Sequence, residues 1–291
     1  MMLDATDSMT RPTEPPAFIG GALPENAQAS PVDDPATTMG AITYTQTRVL
    51  NVDKKVWLDN RMVGSNEPGP ISDAYKIMCV QVLQYLREHD GNALAVVSPG
   101  KGEGKTLTAI NLALSLAQEV DKTVLLVDAN LRFPAVHKYF GFTPQAGLSD
   151  YLLSNAPIDK MMVNPGVDHL VILPGGRPIA NSAEILGSQK MLRLVQELKD
   201  RYPSRIVVFD LPPVLSVADA IAFSPYVDAA IMVVREHQTR REDLQRATTM
   251  LSSIALIGTV LNCATESALA APPLNKWQWL RRLFAWRRAA A

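Results

Sequence analysis

The sequence predicts an α/β fold, a doubly wound, mostly parallel sheet with helices on both faces. Three observations lead there. Short runs of β-branched and aliphatic residues recur along the chain, separated by stretches of helical periodicity, the alternation expected of βαβ units. The first of these runs passes through a glycine-rich turn into a helical pattern (ALAVVSPGKGEGKT, residues 93–106), and two others end on an aspartate (TVLLVD, 123–128; RIVVFD, 205–210). Polar chemistry therefore collects at strand carboxyl ends, where open α/β sheets bind ligands.

Taken in order, residues 1–41 hold Pro12, Pro15, Pro16, Pro24, Pro31 and Pro35 among small and acidic residues with no apolar period. Such a segment buries too little surface to offset chain entropy and is expected to be disordered. Residues 42–71 are expected to form an N-terminal arm, because residues 44–61 alternate only weakly and read as a short strand pair or an arm lying on the domain. A helix follows over residues 71–89, with Ser72 or Asp73 as candidate cap. The first core strand covers residues 94–97, and the helix after the glycine turn carries Leu107, Ile110, Leu112 and Leu114. Residues 123–128, 170–173, 205–210, 229–234 and 257–261 repeat the continuous apolar run of strands buried on both faces. Helical stretches over residues 183–201 and 240–253 lie among them. The sheet domain is thus bounded at residues 72–265, and residues 266–291 form a linker and a basic amphipathic helix.

Composition narrows the function classes. With 291 residues and 47% apolar content the chain can build a sizeable core. A net charge of −1 excludes nucleic-acid binding through overall charge, so no nucleic-acid partner is expected. Cys79 and Cys263 have neither metal-ligand spacing nor a disulfide framework, which fits a reducing compartment. No apolar run approaches the roughly 18 to 20 residues of a membrane-spanning helix, and the first residues lack a signal-peptide pattern. A cytoplasmic protein is the expectation.

The glycine turn reads as a phosphate-binding loop. Gly100, Gly102 and Gly104 let backbone N–H groups, including those of Lys101 and Glu103, turn inward around phosphate oxygens. The following helix offers its positive end to an anion, Lys105 supplies a cation and Thr106 a hydroxyl for Mg²⁺, with Leu107 in the same first turn. Pro99 stands where the usual spacing places the first glycine. Asp128 and Asp210 each end a buried strand, where a carboxylate is costly without a partner; Mg²⁺, water or the loop lysine are the obvious ones. A single strand-end aspartate is more often a helix cap, but two beside a phosphate loop specify a nucleotide and its metal. Asn262 also follows a buried strand, where its amide suits an adenine edge as readily as an ordinary turn.

With these motifs in place a resemblance becomes specific. SPGKGEGKT, VLLVDANLRFPAVHKYFG, GLSDYL, LVILPGGRPIANSAEIL, RIVVFDLPPVLSVADA and IGTVLN, in that order, resemble the bacterial tyrosine kinases of capsule and exopolysaccharide synthesis, within the MinD/ParA class of P-loop ATPases. The resemblance implies ATP and Mg²⁺ as cofactors, γ-phosphoryl transfer to tyrosine, homo-oligomers, and a membrane polysaccharide copolymerase as partner. By position it implies that Lys105 holds the β- and γ-phosphates, Thr106 ligates Mg²⁺, Asp128 orients or deprotonates the attacking hydroxyl, and Asp210 holds the metal through water. Arg132 matches the arginine after the second motif, where it serves acceptor or subunit contacts or a surface ion pair. The chain also departs from the pattern: Asn130 replaces the second acid of D-x-D-x-R, Cys79 occupies an arginine position of the subunit-contact helix, and no terminal tyrosine cluster follows Tyr226.

In place of that cluster stands NKWQWLRRLFAWRR, residues 275–288. On a helix, Trp277, Trp279, Leu280, Leu283, Phe284 and Trp286 share one half of the surface and Arg281, Arg282 and Arg288 the other, the composition of a helix lying in an anionic headgroup layer or docked on a protein surface. A peripheral position at the inner face of the membrane is expected. Two functions follow: a tyrosine-kinase-like regulator of polysaccharide assembly, and a MinD-like ATPase switch that recruits a partner without phosphorylating it.

Overall fold

The structure, a computed structural model, describes residues 47–63, 69–154, 156–202 and 204–265. In chain order its main elements are β1 (Arg48–Val49), α1 (Lys54–Asp59), α2 (Pro70–Glu88), β2 (Ala93–Val97), α3 (Lys105–Leu116), β3 (Thr123–Asp128), α4 (Val136–Tyr139), α5 (Leu148–Ser154), β4 (Val163–Asn164), β5 (Leu170–Leu173), α6 (Ser182–Leu186), α7 (Gln189–Asp200), β6 (Arg205–Asp210), α8 (Asp219–Phe223), β7 (Ala229–Arg235), α9 (Arg241–Met250) and β8 (Leu256–Asn262). Among the described residues the strands form one sheet in the order β1, β4, β5, β3, β6, β2, β7, β8. Every pairing is parallel except that of β4 with β5.

Alternate residues of each central strand enter different cores, which is why these strands read as unbroken apolar runs. Leu94, Val96, Val124, Leu126, Ile206 and Val208 pack with Val82 and Leu86 of α2 and Ile110 and Leu112 of α3. Ala95, Val97, Leu125, Val127, Val207 and Phe209 face the other way, onto Leu148, Leu186, Leu194 and Phe223 of α5 to α8. Helices cover both faces, as a doubly wound sheet requires.

Several elements differ from the sequence reading. Residues 44–61 are not the strand pair that weak alternation allows; the described part lies on the domain as an arm, a two-residue strand on the sheet edge and one short helix. Strand β1 pairs with β4, and Trp57 of α1 packs edge-on against Phe140 at 6.2 Å. Neither Ser72 nor Asp73 caps α2: the cap is Gly69 with Pro70 at the first helical position, where the missing N–H costs nothing. The helix expected over residues 183–201 is two helices, because Ser188 leaves the helical backbone and its hydroxyl accepts from the N–H of Met191, starting a new one. The segment expected to be disordered, residues 1–41, and the amphipathic helix expected at residues 275–288 lie outside the described residues.

Candidate active site

Parallel registration builds the site. Asp128 and Asp210 are register partners at the carboxyl ends of adjacent strands β3 and β6, and Val96 of β2 pairs with Asp210 on the other side. The phosphate loop, residues 98–104, leaves β2 two residues later, so both acids stand beside it. Gly102 and Gly104 take φ of 75° and 91°, the left-handed region that favours glycine. A methyl group on Gly104 would fall 1.9 Å from Nδ2 of Asn262. The first helical bond of α3 runs from Thr108 N–H to Gly104 O at 2.9 Å, leaving the N–H groups before it free of intrahelical partners, as the first turn of a helix does.

Under that space lie the groups the sequence singled out. Thr106 Oγ1 donates to Asp210 Oδ2 at 2.7 Å, and Lys105 Nζ stands 3.6 Å from Asp210 Oδ1. Lys105 and Thr106 are each 8% exposed and both aspartates 0%. Asp128 Oδ2 accepts from the N–H groups of Ala135 (2.8 Å) and Val136 (3.0 Å), which folds the loop after β3 back over the strand end. Its Oδ1 takes only a longer contact from Asn130 N–H, 3.3 Å, and so remains the oxygen able to accept a proton. Burial, and after it the charge of Asp210, pushes the Asp128 carboxyl up to about 7. Burial likewise raises Asp210, opposed by Lys105 and by the Thr106 hydroxyl.

These shifts set a pH dependence. The folded protein holds the Asp128 proton more tightly than the unfolded chain, whose value is near 3.8, so this group's contribution to stability is full below that value and is lost as pH rises through about 7. Asp128→Asn, neutral throughout, should gain stability relative to wild type between pH 4 and 7 and level off above. Urea unfolding of metal-free protein across that range tests it; a difference that does not change with pH refutes it.

The donor set fits Mg²⁺. With its proton committed to Asp210, the Thr106 oxygen has lone pairs to offer a cation, and Asp210 Oδ1 and Asn130 Oδ1 are buried without a hydrogen-bond partner. Among the described residues no group of three or more His, Cys, Asp or Glu forms a metal site by itself. That suits an ion which takes its other ligands from phosphate and water.

Other residues hold the loop. Glu103, 3% exposed, accepts from Gly100 N–H at 2.8 Å and from the Thr239 hydroxyl, so its side chain braces the loop. Asn262 Nδ2 donates to Glu103 O at 2.9 Å and its Oδ1 accepts from Cys263 N–H, so the amide proposed for adenine is engaged with the loop. Gln238 and Arg235 donate to the carbonyls of Lys101 and Gly102. Leu107 is partly buried against the α2 and α3 core. Arg132 is not a free surface group: its Nε lies 3.4 Å from Oδ1 of Asp219, a wholly buried acid that also accepts from Ser182 Oγ. Asp219 and the 235–239 brace escaped the sequence reading, since their partners are far away in the chain.

A glycine turn closing the central strand onto a helix, with lysine, threonine and two strand-end acids converging below it, defines a P-loop ATPase site. Comparison with known proteins takes this further. Residues 92–263 match the family described as an AAA domain. The tyrosine-protein kinase YwqD of Bacillus subtilis is 31% identical over 208 residues, 70% of this chain and 86% of that protein. The tyrosine-protein kinase ptk of Acinetobacter johnsonii is 32% identical over 154 residues, 53% of this chain but 21% of that longer protein. Among solved structures, the VpsO kinase domain superposes with a TM-score of 0.59 at 30% identity, over 67% of this chain and 96% of that one. The cell-division ATPase MinD of Pyrococcus furiosus gives 0.52 at 25% identity, over 63% and 76%. The chain belongs to the bacterial tyrosine-protein kinase family, within the MinD-like P-loop ATPases.

Proposed function

We propose that this protein is an ATP-dependent protein-tyrosine kinase that regulates capsule or exopolysaccharide assembly. The observation that carries the reading is the convergence of Lys105, Thr106 and Asp210 under the phosphate loop with a proton-accepting Asp128 in register beside them. The loop N–H groups and Lys105 bind and neutralise the triphosphate. Asp128 takes the proton of the tyrosine hydroxyl as its oxygen bonds to the γ-phosphorus, and the bond to the β-phosphate oxygen breaks to release ADP. A raised carboxyl is matched to that exchange near neutral pH. Phosphoryl transfer needs placement and charge neutralisation more than covalent help, so these groups suffice. Mg²⁺, held through Thr106 and, by way of water, Asp210, would neutralise charge on the bridging phosphates.

Incubation with γ-labelled ATP and phosphotyrosine analysis tests the reading: labelled tyrosine supports it, and ATP hydrolysis without protein labelling supports the recruiting switch instead. The acceptor is expected on a partner or on another part of the chain, with a membrane polysaccharide copolymerase as the partner. Among the described residues no helix is long and apolar enough to cross a membrane. The Trp/Arg pattern at residues 275–288 supports a peripheral position on anionic lipid. Deleting residues 275–291 should abolish co-sedimentation with vesicles rich in phosphatidylglycerol; unchanged sedimentation refutes that assignment.

A further inference from the structure

Phe133 has no place in the chemistry above, yet its ring is 67% exposed. It sits on the turn that follows β3, its N–H bonded to Asn130 O at 3.1 Å, five residues beyond Asp128 and just before the N–H groups that Asp128 binds. The turn is held from several sides. Ile179 N–H bonds Leu131 O at 2.9 Å, Arg132 is tied to Asp219, and Pro134 confines the backbone of Phe133 to extended conformations. Across the cleft, Lys101 at the tip of the phosphate loop places its ammonium 5.5 Å from the centre of the ring. An exposed aromatic ring on a turn with an anchored backbone and a cation of the phosphate loop thus stand together at the sheet edge where Asp128 and Asp210 end their strands.

We propose that Phe133, flanked by Lys101, is the platform on which the ring of the acceptor tyrosine stacks, an inference that rests on the kinase reading. Both acids are fully buried, so an acceptor hydroxyl has to be carried down to them from the rim by a rigid side chain. A tyrosine stacked on a phenyl ring does this with its ring direction set by the stack, whereas the short hydroxyls of serine and threonine gain nothing from an aromatic wall. Lys101 adds attraction for acidic residues flanking the tyrosine. The sheet order separates this wall from the residues that brace the far side of the phosphate loop. Gln238, after β7, and Asn262, the last residue of β8, brace the phosphate loop from one side of β2, and Phe133 follows β3 on the other.

Steady-state kinetics of the full chain with a synthetic Glu–Tyr copolymer as acceptor tests this, together with equilibrium binding of the same copolymer. Phe133→Ala should raise the KM for copolymer about ten-fold and leave the KM for ATP within about two-fold, and Phe133→Trp should restore the acceptor KM. Because the side chain is exposed, the thermal midpoint should not move. Parallel loss of ATP affinity would give the ring to the base and overturn the assignment, as would full rescue by Phe133→Leu, which keeps bulk without a π face. A wild type that labels tyrosine with Phe133→Ala unchanged overturns this inference and leaves the kinase reading standing. A wild type that binds copolymer through Phe133 but never labels it overturns the kinase reading and with it the acceptor role, leaving Phe133 only as a surface that binds tyrosine rings.

Discussion

Replacing Lys105 by methionine is expected to lower the rate of tyrosine labelling about a thousand-fold while the protein stays folded. The substitution keeps the buried aliphatic stem and removes only the ammonium, which stands 3.6 Å from Asp210 Oδ1 at the floor of the phosphate space. Charge on the transferring phosphoryl group is largely what an enzyme of this class has to stabilise, and a fixed cation in a site screened from water is worth far more there than in solution. The fold survives because Asp210, already raised by burial, takes up a proton when it loses its partner. Initial rates with labelled ATP, beside a thermal melt, decide the matter. A variant that labels tyrosine within ten-fold of wild type would show that Lys105 does not do this work.

The second large effect is expected at the turn itself. Gly104→Ala should remove measurable ATP binding, a loss of at least about 100-fold, and lower the melting temperature by several degrees. A left-handed backbone at a residue with a side chain costs about 1–3 kcal/mol, and the new methyl would also displace Asn262, whose amide supports Glu103 O. Gly102→Ala is the control. Its φ is also positive, but its methyl would meet only Gln238 Nε2 at 3.7 Å, so it should weaken ATP binding much less. Calorimetry with ATP and magnesium separates the two variants, and equal affinities would mean that the Asn262 brace is unimportant.

Much of the fold was legible because its central strands are buried on both faces and therefore carry their signal in unbroken apolar runs. The bounds of β3, β5 and β6 agree with the expected ones residue for residue. The edge was illegible for the opposite reason. Strands β1 and β4 are two residues each, and what makes them strands is their pairing, β1 with β4 and β4 with β5, not their composition. The break between α6 and α7 was written in Gly187-Ser188, but the apolar period continues across it and masked the cap. At the site, Lys105, Thr106, Asp128 and Asp210 could be found because each sits at the end of a recognisable run. Asp219 could not, for its meaning comes from Arg132, far away in sequence. The brace from Thr239 to Glu103 is likewise a tertiary contact that no local pattern announces.

The rungs that join β3 to β6 work as a ruler. Counting from Thr123 opposite Arg205, each strand advances in step until Asp128 meets Asp210. Since side chains alternate between faces, losing or gaining one residue within either strand would turn its acid to the wrong side of the sheet and leave the other alone. Changes of length are therefore confined to the connections beyond the acids, and the distance between the two carboxylates is a property of backbone pitch that side-chain substitution elsewhere in the domain leaves alone.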